Sequence, residues 1–173
     1  MNKKNEYTKL IETVTTDWAI DHNIFGTLKF VDGTQTSDER AIRAIKRFWI
    51  TMDRFWWGAS GVKAGQRLSR VVWQHRGVTG SNIHYHFTVK AGSAFIIRAE
   101  RAWRDADVFA CDAQIELISN HAAAVIYGAH EYQKLGSEVL HAETTQTVIC
   151  ADNSKYKMSR LKRALIFGDQ LVT

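Results

Sequence analysis

Apolar and polar positions alternate with a period of two in short runs of this chain and with a period near 3.6 in longer ones. The two periods divide it into strands and helices. Residues 24–31, Ile-Phe-Gly-Thr-Leu-Lys-Phe-Val, read as a strand closed by Asp32-Gly33. Thr36-Ser37-Asp38-Glu39 has the form of a capping box, with Thr36 at the cap and Glu39 three residues on. The helix it opens carries Ala41, Ile45, Phe48, Met52 and Phe55 as an apolar stripe, with Arg40, Arg43, Lys46, Arg47 and Arg54 on its other face. Residues 58–65 read as a loop. Strands follow over 68–75 and 82–90, and Gly-Val-Thr-Gly-Ser at 77–81 is short enough to join them as an antiparallel hairpin. A helix over 94–103 and a strand over 108–118 come next. Ser119-Asn120 offers a cap for an Ala-rich helix over 121–135. A fifth strand over 144–150 and a basic helix over 158–167 close the order.

This mixture predicts an α+β fold with a five-stranded antiparallel sheet flanked by helices. A ferredoxin-like or RNA-recognition-like sheet is the natural solution to that order. A length of 173 residues predicts one domain over 1–173, and 45% hydrophobic residues supply its core. No run of 18 apolar residues is present, which argues against a membrane span. The amino-terminal residues lack the apolar stretch of a signal peptide. Cys111 and Cys150 make no disulfide framework and read as free thiols, so the cytoplasm is the expected location. A net charge of +5 together with six Trp, eight Phe and five Tyr is compatible with a nucleic-acid partner. Phosphates need cations, and unstacked bases need aromatic faces.

Two clusters bear chemistry. His84-Tyr85-His86 lies in the third strand, and side chains at i and i+2 share a face. The two imidazoles therefore lie side by side in a geometry that suits one metal ion, with Tyr85 pointing the other way. In the Ala-rich helix, Tyr127, His130, Glu131 and Lys134 fall at i, i+3, i+4 and i+7 and share one helical face.

Three segments in this order resemble the HUH (histidine-hydrophobic-histidine) endonucleases, and among them the replication initiators of rolling-circle plasmids and small single-stranded DNA viruses. Phe25-Gly26-Thr27-Leu28-Lys29-Phe30 looks like the family's first motif. His84-Tyr85-His86 looks like its metal motif. Tyr127-Gly128-Ala129-His130-Glu131 looks like its nucleophile motif, a Tyr followed three residues later by His or Lys. The resemblance implies an HUH fold with a nicking domain and a third metal ligand from the strand before the paired histidines. The family usually supplies a carboxylate there; this strand offers His75 or, through its amide oxygen, Gln74. Alternation lets only one of them face the ion. Imidazole is the better ligand, and three imidazoles favour Mn²⁺, with Mg²⁺ the oxygen-preferring alternative.

The implied reaction is transesterification. Tyr127 attacks a phosphodiester of single-stranded or hairpin origin DNA, forms a 5′-phosphotyrosine and frees a 3′-OH. Phenols ionise near pH 10 and need help at neutral pH, for which His130 and Lys134 are candidates. Tyr132 is the second choice, turned about 140° away on an ideal helix at 100° per residue. Arg43, Arg47, Arg67, Arg70 and Arg76 are candidates for contacts with DNA. The chain has no Gly-Lys-Ser/Thr phosphate loop, so any helicase is either a further C-terminal domain or a separate host protein, and a host polymerase is the other implied partner. A single-tyrosine transposase or relaxase shares the same motif. A non-catalytic RNA-recognition-like module is the non-enzymatic alternative.

Overall fold

The computed structural model describes residues 3–147. The elements are α1 (Lys3–Thr13), a π-helical turn (Val14–Trp18), β1 (Ile24–Phe30), α2 (Asp38–Lys63), β2 (Arg70–His75), β3 (His84–Val89), α3 (Ala94–Arg104), β4 (Ala110–Leu117), α4 (His121–Gly128) and α5 (Tyr132–Leu135), with a 3₁₀ turn (Gly136–Val139) after them. The strands form one four-stranded antiparallel sheet in the order β2-β3-β1-β4. The fold is α+β. Among the described residues no helix is long and apolar enough to cross a membrane.

The strand period separates two faces. On one, Tyr85 and Phe87 of β3 lie across from Leu28 and Gly26 of β1 and from Gln74 and Val72 of β2. The apolar stripe of α2 and the apolar side of α3 close over this face, burying Phe48, Trp49, Met52, Phe95 and Trp103 in one core. A Cβ on Gly26 would stand 2.2 Å from the Phe87 ring, so only glycine lets that ring lie across β1. Arg70 also points into this side, with its guanidinium 4.4 Å over the Trp49 ring and bonded to buried Asp53 at 2.7 Å. The other face is covered only at its β2 end. There α1, the π-helical turn, α4 and α5 bury Val71, Trp73, Val125, Ala129 and Tyr132 in a second, smaller core.

The elements differ from the sequence pattern in five places. The sheet has four strands among the described residues. In the region of the expected fifth, Gln146 makes one bridge to Arg70 at the outer edge of β2. Among the described residues that bridge does not extend into a ladder: the Val72 N–H donates to the Thr145 hydroxyl (3.1 Å) and the Val72 carbonyl accepts from His141 N (2.8 Å). Residues 148–150 and the expected helix over 158–167 lie outside the described residues. The cap of α2 is Ser37, whose hydroxyl accepts from Arg40 N, while the Thr36 hydroxyl donates to the Asp32 carbonyl. Helical structure continues through the expected loop to Lys63 across a break at Gly58 (φ 74°, ψ 169°), a conformation reserved for glycine. The N-terminal helix α1 was not anticipated, although Tyr7, Leu10, Ile11 and Val14 have helical spacing.

The fifth difference is a break in the Ala-rich helix. In a continuous helix the Gly128 carbonyl would accept from the Tyr132 N–H. It accepts instead from His75 Nε2 at 2.6 Å, and the Tyr132 N–H goes to Ala129 O at 2.9 Å. A strand side chain takes the carbonyl that helix propagation needs, so α4 ends at Gly128.

Candidate active site

Cross-strand pairing lays out the open face as three rows. His75, His84, Lys29 and Asp112 form the first. Trp73, His86, Thr27 and Gln114 form the second, and Val71, Thr88, Phe25 and Glu116 the third. Residues directly opposite share a face. His75 and His84 are therefore neighbours across the hairpin, and His86 stands one row down.

One ring nitrogen from each of these three histidines lies within 4.8 Å of the other two, a group able to hold a metal ion. The ring centroids are 4.4 Å (His75–His86), 5.1 Å (His84–His86) and 5.3 Å (His75–His84) apart. The opposite nitrogen of each ring is already engaged. His75 Nε2–H donates to the Gly128 carbonyl, His84 Nδ1–H donates to the Asn82 carbonyl (2.9 Å), and His86 Nδ1 bonds the Thr27 hydroxyl (2.9 Å). Such outer bonds fix the tautomer and aim the free nitrogen of a ligating histidine. His75 Nδ1 and His86 Nε2 are left buried with no partner among the described residues.

His22 is the contrasting case. It is also buried, but its Nδ1 bonds Thr88 Oγ1 (2.9 Å) and its Nε2 bonds Ser69 Oγ (3.0 Å), so both nitrogens are satisfied. An unpaired buried polar atom costs about 1–3 kcal/mol. Two of them converging on one point fit a donor set built for an ion. Burial lowers the pKa of His75 to about 4 and lowers those of His84 and His86 as well. All three are thereby held neutral, the form that binds metal.

Tyr127, at the end of α4, faces this group. Its ring is half exposed, 5.0 Å from the His86 ring and 5.8 Å from Phe25, edge-on to both. His130, in the turn after α4, packs its ring 4.4 Å from His75 and 5.3 Å from Tyr127. Its Nδ1–H donates to the Tyr127 carbonyl (2.5 Å), leaving Nε2 as an acceptor. Glu131 is buried beside them. Its Oε2 accepts from Arg76 N at 2.7 Å, and it can form a second ligand group with His75 and His130.

Gly128 makes this approach possible. A Cβ there would stand 2.6 Å from the Trp73 ring, so the bare backbone of α4 lies flat against that indole. A larger residue lifts the helix, and Tyr127 and His130 with it.

Other candidates fall elsewhere. Gln74 points to the opposite face and accepts from the Tyr85 hydroxyl (3.2 Å), so His75 is the residue of this pair that joins His84 and His86. Lys134 is exposed in α5, beyond the helix break, and is off the Tyr127 face that an unbroken helix gives it. Tyr132 is buried in the smaller core with its ring 5.8 Å from Tyr7, away from solvent. Arg70 is buried and paired with Asp53, so it does not lie at the surface as expected. Arg67 donates to the carbonyls of Val62 and Gln66 (both 2.8 Å), and Arg76 pairs with Asp38 (2.8 Å). Arg43 and Arg47 are exposed, but on α2, which covers the sheet face opposite the histidines.

Sequence reasoning missed Glu131 as a buried group, and missed Asp112, Gln114 and Glu116 on the open face. The strict alternation of β4 held the signal for the last three: Ala113 and Ile115 face the core, and Asp112, Gln114 and Glu116, which alternate with them, face out. Set against protein-family models, curated proteins and solved structures, the chain matches none.

Proposed function

We propose that this chain nicks and rejoins single-stranded DNA as an HUH-type endonuclease, with Tyr127 as nucleophile, and that it initiates rolling-circle replication. The observation that carries this reading is the meeting of Tyr127 with the three histidines, its ring edge-on at 5.0 Å to His86. The β-α-β-β-α-β order with spatial order β2-β3-β1-β4 supports a ferredoxin-like frame for the site. Thr27, central in the segment that resembles the family's first motif, is the residue that bonds His86.

His75 through Nδ1, and His84 and His86 through Nε2, would hold a divalent ion, Mn²⁺ in preference to Mg²⁺ because all three donors are imidazoles. When bound, the ion polarises the scissile phosphate and neutralises its charge. The remaining work falls to the chain. Tyr127 Oη attacks phosphorus, and its proton passes to His130 Nε2, the nitrogen left open by the bond from Nδ1 to the Tyr127 carbonyl. The bond from phosphorus to the 3′ oxygen breaks, its electron pair leaves with that oxygen, and a proton completes the 3′-OH. The 5′ end stays on Tyr127 as a phosphodiester to tyrosine. Running the same steps backward joins strands. Glu131 holds the end of β2 through Arg76 N and lies beside His75 and His130.

The test is a denaturing gel of protein mixed with a labelled pool of single-stranded and hairpin oligonucleotides in Mn²⁺. Wild type should yield a covalent band that chelation prevents. Tyr127→Phe should abolish the band without loss of Mn²⁺ or DNA binding, and Tyr132→Phe should keep it. A band that survives Tyr127→Phe, or no band from wild type, overturns the assignment.

A further inference from the structure

An open groove of about 720 Å³ runs from Tyr127 across β1 to β4. That volume is in the range of small-ligand sites. Its floor is Phe25 and Thr27 of β1 with Gln114 and Glu116 of β4, and its wall is the start of α4, from Asn120 to Tyr127. Thr27 joins it to the histidines, since Thr27 bonds His86 and is paired with both His86 and Gln114. Whatever lies in the groove touches the row of the sheet that holds His86.

The lining says what it can take. No Lys or Arg lines it, and Glu116 is part of its floor, so a phosphate is repelled there. The Gln114 amide and the Glu116 carboxylate make no hydrogen bond or ion pair among the described residues. Asn120 spends its Oδ1 on Ala123 N (3.0 Å) and keeps its amide N–H groups. Phe25 and Tyr127 supply aromatic surface at the inner end. A flat, neutral heterocycle carrying N–H donors matches all of these features.

We propose that the groove holds the nucleobase beside the phosphodiester at the histidines, and that Glu116 with Gln114 selects bases bearing an exocyclic amino group over thymine. A carboxylate only accepts hydrogen bonds. Adenine, cytosine and guanine each offer it an amino group. Thymine offers one N–H flanked by two carbonyls, which the carboxylate repels. A base-reading contact of this kind discriminates by about fivefold to 150-fold, from about 1–3 kcal/mol. The inference rests on the reading that a phosphodiester lies at the histidines.

A single-stranded DNA pool randomised in sequence, mixed with the protein in Mn²⁺, tests it. The covalently captured and the merely bound molecules are sequenced separately. Thymine should be depleted about tenfold at one position flanking the captured phosphate. Glu116→Gln, an exposed substitution whose amide can donate to thymine, should remove that depletion, and Gln114→Ala should weaken it. Capture with thymine equally accepted at every flanking position overturns the base-selecting groove and leaves nicking intact. Depletion unchanged in both variants overturns it too. No capture from any sequence overturns nicking instead. The bound pool then decides the groove alone: a thymine bias that Glu116→Gln removes sustains it, and the lack of one overturns it.

Discussion

His86 and Phe87 are neighbours in sequence and point to opposite sides of one strand. Phe87 lies between the Phe48, Trp49 and Phe95 rings, in a core that α2 and α3 close completely. His86 lies on a face only partly covered, with one nitrogen bonded and the other buried without a partner. On the closed face the buried charges are paired, Asp53 taking Leu68 N and the Arg70 guanidinium, and the unpartnered Trp49 Nε1 stands alone among aromatic rings rather than converging with other polar atoms. The open face leaves groups unsatisfied where they converge. One side of the sheet is built for stability and the other tolerates cost for chemistry.

The largest effect expected from this contrast comes from the adjacent pair. Phe87→Ala should cost about 3–5 kcal/mol of stability, the usual loss for a buried ring. His86→Ala should cost less than half as much, because it also removes an orphaned nitrogen. Metal reverses the ranking. Mn²⁺ at a hundredfold its Kd should add about 2.7 kcal/mol to wild type, a rise in Tm of roughly 5–10 °C for a chain of this size. Thermal melts with and without Mn²⁺ should show that rise in folded Phe87→Ala and not in His86→Ala. Equal responses would erase the distinction between the faces.

Gly128→Ala comes next. Its Cβ would enter the Trp73 ring, and overpacking of this kind costs about 1–3 kcal/mol. The rate of covalent adduct formation should fall further than stability does, about tenfold or more, since α4 carries Tyr127. Trp73→Leu in the same chain should recover part of that rate. If Gly128→Ala leaves the rate unchanged, the contact does not set the position of the nucleophile.

Acid titration separates the satisfied histidine from the unsatisfied ones. Burial lowers the His22 pKa to about 4, against about 6.5 in an unfolded chain. The unfolded state therefore takes the proton first. Stability is full above about pH 6.5 and falls as pH drops toward 4, by about 1.4 kcal/mol per unit for one such group. Urea unfolding across this window should show a shallower fall in His22→Gln, with Mn²⁺ affinity unchanged. A change in Mn²⁺ affinity would place His22 in the same unit as the three ligands.

The smallest effect is expected on α2. Arg43→Ala and Arg47→Ala should each change single-stranded DNA affinity less than about twofold, in line with the few tenths of a kcal/mol typical of exposed sites. A loss of tenfold would mean that DNA wraps onto the closed side.

Much of this arrangement was legible where local pattern decides it. Alternation in 84–89 put His84 and His86 on one face, and the short loop over 77–81 marked β2 as the hairpin partner of β3. The stripe on α2 marked the closed core. The reading failed where tertiary contacts override local preference. Nothing in Tyr127-Gly128-Ala129-His130 announces that a strand histidine will take the Gly128 carbonyl and end the helix. Arg70 looked like a surface cation because its partner, Asp53, lies 17 residues earlier on a helix, where spacing gives no hint of the pairing. Gln74 and His75 were inseparable until the register of β2 was known.

That register has a further consequence. Side chains repeat every two residues along a strand, so a slip of β3 by one position would drive His84 and His86 into the aromatic core and expose Tyr85 and Phe87 to water. Such a misalignment is expelled by the hydrophobic effect alone, whether or not any ion is present. The fidelity with which three imidazoles converge is thus inherited from residues that never touch them, and the folded chain proofreads its reactive face through the face it hides.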